Sequence, residues 1–148
     1  MGELRRTKTR HLAALSVLLC LFIARVLSQY IQWVWAVDFL PSFEAWHSST
    51  LEYEVLLCSQ GLIVAWCAMV IRWVKRGEVK ATLGKARALL SFGAVYFVFM
   101  LSRLVASLSF AEEGSWFDHP LPSAFHLVLA LFVLCYGHFH WIHRSQST

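Results

Sequence analysis

Four stretches of this chain are continuously apolar over lengths that a soluble domain of 148 residues could not bury, at about 12–36, 55–74, 88–110 and 122–142. An α-helix rises about 1.5 Å per residue, so roughly 20 residues cross a hydrocarbon core of about 30 Å, and each stretch meets that length. A transmembrane barrel would instead show short segments of alternating polarity. Composition agrees: 58% of residues are hydrophobic and 15% charged, against about 25% charged in soluble domains. The same figures exclude a disordered chain. The expected fold is therefore an all-α integral membrane protein. It is a single domain over 1–148 with four transmembrane helices in an antiparallel bundle.

Charge sets the orientation. Arg5, Arg6, Lys8 and Arg10 precede the first span, Arg72, Lys75, Arg76, Lys80, Lys85 and Arg87 flank the connection between the second and third, and Arg144 follows the fourth. The two opposite loops and their edges carry Asp38, Glu44, Glu52, Glu54, Glu112, Glu113 and Asp118, and no Lys or Arg. The positive-inside rule then places both termini in the cytoplasm of a bacterial-type inner membrane. The basic start and apolar run of the first span read as a retained helix, because Arg25 interrupts the run and no small-residue cleavage site follows. Ser49 and Glu52 read as a capping box for the second helix. The basic connection from Lys75 to Arg87 reads as a solvated loop, with a short interfacial helix as the alternative.

A faint internal likeness links Phe22–Leu27 with Met100–Val105, one arginine in each, and Trp73–Arg76 with Trp141–Arg144. Chance likeness between apolar helices accounts for it, with two repeated helical hairpins about an axis along the membrane normal as the alternative.

The residues that point to function are the ones lipid disfavours. Arg25 falls near the middle of the first span and Arg103 slightly outside the middle of the third. A central arginine costs about 2.5–3.5 kcal/mol on insertion scales, so each is expected to face the bundle interior. Arg25, Ser28, Gln29 and Gln32 share one helical stripe, and Arg103 and Ser107 share another. On the second helix Glu54, Cys58 and Gly61 share a face beside Ser59 and Gln60, and the fourth offers Ser123 and His126. These groups lie in the outer halves of the spans. Arg25, Gln29, Gln32, Glu54, Arg103, Ser107 and His126 are thus the expected lining of a basic cavity open to the outer side. Two guanidinium groups there suit an anionic lipid, a quinone or a porphyrin carboxylate. The same groups can instead bond one another and simply tie the helices together.

The second constellation is His138, His140 and His143 at the end of the fourth span. His138 and His143 are about 140° apart around a helix, so a metal site there needs help from His11 at the same boundary. His126 alone lies where an axial haem ligand would. Cys20, Cys58, Cys67 and Cys135 form no C-x-x-C pair and read as small core residues. No phosphate-cradling loop, H-E-x-x-H or G-x-S-x-G is present, so no enzyme is indicated, and the basic face has a topological explanation that does not call for nucleic acid. Three expectations follow. The first is a non-enzymatic binding or accessory protein with an Arg-containing cavity. The second is a structural subunit that meets other membrane proteins. The third is a redox protein holding haem or a metal through His126 or through His138, His140 and His143. No particular cofactor is singled out.

Overall fold

A computed structural model of the chain describes residues 2–35, 37–43, 52–109 and 120–144. Four helices account for nearly all of them: α1 (Gly2–Val34), α2 (Tyr53–Arg76), α3 (Leu83–Ser109) and α4 (Pro120–His143). All four are long and apolar enough to cross a membrane, which makes this a multi-pass membrane protein. Pairs such as His11 with His138, Gln29 with Gln60 and Tyr96 with His126 show that neighbours in the bundle run antiparallel.

Burial follows a seven-residue repeat. Tyr53, Gln60, Cys67 and Val74 are inward positions of α2, joined by Val70, and Ala86, Gly93, Met100 and Ser107 are those of α3. On α1 the buried residues His11, Leu15, Leu19, Phe22, Arg25 and Gln29 recur every three or four. Such spacing keeps one seam facing a neighbour along the whole length of slightly supercoiled helices. The basic half of the bundle is packed with apolar side chains, Leu15 and Leu19 of α1 meeting Cys67, Val70 and Val74 of α2 and Phe132 and Phe139 of α4.

Helix α4 is central: it packs closely on α3 and also on α1, which in turn lies against α2. The α3–α4 contact depends on two glycines. A Cβ on Gly93 would stand 2.9 Å from the Leu134 side chain and 3.3 Å from its backbone nitrogen, and one on Gly137 would meet Leu89 and Leu90 at 3.1 Å. Each glycine is thus the notch that receives a leucine from the facing helix. Large apolar residues of α3, including Phe92, Val95, Val98 and Leu108, remain exposed on its outer face, as expected where lipid is the solvent.

The ends differ in detail from the sequence expectation. The basic segment before the first span is itself helical, so α1 begins at Gly2. Gln32 Oε1 accepts from Val37 N at 3.0 Å and so ties down the exit of α1. Helix α2 opens from Glu52, which makes no side-chain capping bond, so no capping box forms there; Ser49 lies outside the described residues. The connection between α2 and α3 is a short, largely exposed loop over 77–82 with no helix of its own. Gly77, at φ 74°, closes α2 in a Schellman turn, with Gly77 N donating to Val74 O and Glu78 N to Trp73 O. Thr82 then starts α3, its carbonyl and hydroxyl accepting from Ala86 N and Lys85 N. Pro120 and Pro122 occupy the first turn of α4, where a missing N–H is harmless.

Candidate functional site

Above the apolar core, in the half of the bundle away from the basic end, α1, α2 and α4 leave a cavity of about 90 Å³. Its walls are mostly apolar, with Phe22, Leu56, Ile63, Phe125 and Leu129 prominent, and its polar members are Arg25, Ser59, Gln60 and His126. Among the described residues no carboxylate lines it, and Arg25 is its charged member.

Each polar member is placed by its helix. Arg25 follows Phe22 by three and precedes Gln29 by four on the buried stripe of α1, and only 7% of it is exposed. Its guanidinium carbon lies 5.9 Å from the centroid of the Phe125 ring, within cation–π range. Its charge also acts on the phenol of Tyr53, which is buried at the start of α2 against Trp33 and Phe43. Gln60 is an inward heptad position of α2. Its Nε2 donates to Gln29 Oε1 at 3.3 Å, while its own Oε1 is buried and finds no partner among the described residues. Ser59 spends its hydroxyl on Leu56 O at 2.7 Å. His126 is fixed from the other side, its Nδ1 lying 2.6 Å from Tyr96 Oη, an interaction that holds the ring in either tautomer.

The expected set is therefore only partly brought together. Arg25 and His126 line the cavity, and Gln29 stands directly behind it through Gln60. Arg103 does not line it but approaches from the α3 side, close enough for its charge, like that of Arg25, to act on His126. Ser107 is buried, with its hydroxyl donating to Leu104 O in its own helix, and Gln32 serves the end of α1. Glu54 is exposed and outside the lining, as are Cys58 and Gly61. The face chosen for α2 from sequence is thus the outward one. Cys20 is likewise exposed rather than in the core.

Two participants were not singled out. Gln60 stood beside the favoured face, and its signal was the series Tyr53, Gln60, Cys67, Val74 at intervals of seven. Tyr96 lies seven residues before Arg103, on the same face of α3, and is the phenol of that span.

The volume limits the occupant. Sites for drug-sized ligands run to about 300–1,000 Å³, so a cavity of about 90 Å³ is too small for a porphyrin or a quinone ring.

The histidines at the basic end form a separate cluster. His11 Nδ1–H donates to Thr7 O at 2.8 Å, which leaves Nε2 of the neutral ring to accept from His138 Nδ1–H at 3.0 Å. His143 Nδ1–H donates to Phe139 O at 3.0 Å. His140 is 1% exposed, packs edge-on against Tyr136, and has no partner for either nitrogen among the described residues. His11 does reach the end of α4, as a metal site there would need. Among the described residues, however, no group of three or more His, Cys, Asp or Glu side chains is arranged to hold a metal ion. His47 and His119 lie outside the described residues.

No protein-family model, curated protein or solved structure matches the chain.

Proposed function

We propose that this chain is a multi-pass protein of a bacterial-type inner membrane, with both termini cytoplasmic, and that it acts as a non-enzymatic binding protein. Its Arg25 cavity holds the anionic end of a lipid or lipid-like molecule that enters from the outer side. The orientation rests on the basic residues gathered at one end of the bundle. The binding role rests chiefly on Arg25, a residue 7% exposed that lies within a span and lines this cavity.

The chemistry of such a site is simple. A carboxylate accepts a bidentate pair of charge-assisted hydrogen bonds from Arg25, and the buried Gln60 Oε1 accepts from a hydroxyl or amide N–H if the ligand carries one. Phe22, Leu56 and Leu129 receive the first methylenes of an apolar tail. Little water competes in so small a space, which strengthens each polar contact.

The test uses a long-chain fatty acid, a probe that joins one carboxylate to one tail. Wild-type protein in mild detergent is expected to keep one bound molecule in native mass spectrometry. Arg25→Ala should weaken that binding roughly ten- to a hundredfold, the worth of hydrogen bonds to a charged group. Its helix content by circular dichroism should be unchanged. Equal retention by the variant, or loss of the fold along with the adduct, counts against the proposal and favours a purely structural arginine.

A further inference from the structure

At the basic end α2 and α4 finish at the same level, and the 77–82 connection folds across the gap between them. Beneath it lies a second cavity of about 260 Å³, which Lys8 reaches from α1, Lys80 from the connection and His143 from α4. Its floor is apolar, with Val74, Ala81 and Phe139 all buried. Among the described residues no carboxylate lines it. The nearest acid of the connection, Glu78, lies in the adjoining cavity and pairs with Arg76 at 3.6 Å.

Lys8 and His143 are held in place yet retain bonding capacity, and Lys80 reaches in from the exposed connection. Lys8 Nζ donates to Lys75 O at 3.3 Å, which leaves two ammonium hydrogens. A Cβ on Gly77 would stand 3.7 Å from that nitrogen, so Lys8 lies over the turn that ends α2. His143 is 8% exposed, and its ring stacks on Phe139 with centroids 4.3 Å apart. Its Nδ1–H is committed to Phe139 O, whereas Nε2 is buried with no partner among the described residues. A buried ring nitrogen left bare in a cavity with two ammonium groups is destabilising unless something bonds to it.

We propose that this basic-end cavity is a phosphate site, in which Lys8, Lys80 and His143 Nε2 grip three faces of one phosphate group. The ammonium groups donate to two oxygens and Nε2–H to a third. Because Nδ1–H is already engaged, His143 is an imidazolium when it does so. Among the described residues the other titratable or charged groups facing it are Lys8, Lys80 and His11, whose ring centroid lies 6.1 Å away. Helices of this length end near the phosphates of a bilayer that they cross, and basic pockets between helices at that level suit anionic headgroups. Inorganic phosphate presents the same oxygens. A larger cavity of about 460 Å³ shares Val79 and Lys80 and adds Lys85, which gives the rest of a headgroup room beside the site.

The experiment compares wild type with Lys8→Gln/Lys80→Gln, two positions at the rim whose change leaves the apolar packing alone. Both proteins are placed in nanodiscs of phosphatidylcholine with and without phosphatidic acid, and inorganic phosphate is added in a separate arm. Wild type is expected to retain bound phosphatidic acid on gentle release into a mass spectrometer, and the double variant to bind it about tenfold or more weakly. The ¹⁵N signal of His143 should move to its imidazolium position on binding. Displacement by inorganic phosphate would identify the small anion as the source; no displacement would identify the headgroup. Equal binding by the two proteins, an unmoved His143 signal, or no binding in either arm overturns the proposal. Arg25→Ala should leave all of these results unchanged, so this site stands or falls apart from the first.

Discussion

The two hairpins of this bundle are joined by different means. Helices α3 and α4 meet almost backbone to backbone, with Leu134 seated on Gly93 and Leu90 on Gly137. Helices α1 and α2 face one another through side chains, apolar toward the basic end and amide to amide at Gln29 and Gln60. In lipid the first kind of contact is driven by close packing, since apolar side chains gain nothing by leaving a solvent as apolar as themselves. The second kind leaves space, and the cavity that holds Arg25 opens where α1 and α2 meet α4. A faint sequence likeness between the hairpins therefore does not extend to how each is held. One acts as a rigid spine, and the other frames a polar site against it.

The strongest way to break this contrast is Gly93→Leu. The new side chain would enter space already held by Leu134, including its backbone nitrogen at 3.3 Å, where no rotamer change gives relief. Overpacking of this kind costs about 1–3 kcal/mol, and the upper part of that range is expected here. Unfolding of the reconstituted protein in a denaturing detergent should show it as an early loss of α3–α4 contact. A neutral result would mean that the two helices are not held this closely.

A gentler effect belongs to the amide pair. Gln29→Leu, Gln60→Leu and the double variant form a cycle whose coupling energy should be about 0.6–1.7 kcal/mol, the range of hydrogen bonds between transmembrane helices. A coupling near zero would show that α1 and α2 are held by the aliphatic contacts of Leu15, Leu19, Val70 and Val74 alone.

The sequence disclosed these parts unevenly, for a physical reason. The number of helices and the inward face of α1 were legible, the latter because Arg25 and Gln29 are costly in lipid and share one stripe. The inward face of α2 was not. In a soluble helix the apolar side is the buried side, but here lipid and core are equally apolar, so hydropathy does not separate them. Glu54, Cys58 and Gly61 form as good a helical stripe as Tyr53, Gln60 and Cys67, yet Glu54 stands in the first turn of α2 and is exposed there. Tyr96 was hidden because a phenol in an apolar run looks like any aromatic until His126 is found 2.6 Å away. The glycines were equally mute: Gly61, Gly93 and Gly137 are all mid-helix, and only the facing residue tells a notch from an open surface.

That last distinction gives the smallest expected effect and the sharpest check on the comparison. Gly61 lies within α2 on its exposed side, and a Cβ there meets nothing within 4 Å. Gly61→Ala therefore adds a methyl group facing lipid and removes the conformational penalty of a mid-helix glycine. It should leave stability unchanged or raise it by up to about 1 kcal/mol. The same detergent unfolding used for Gly93→Leu measures it, so the two glycines are compared on one scale. A clear loss of stability would mean that another helix packs against Gly61 in the membrane. The α1–α2 hairpin would then be a second close-packed surface, this time toward a neighbouring molecule, and the contrast with α3–α4 would be one of partner and not of packing.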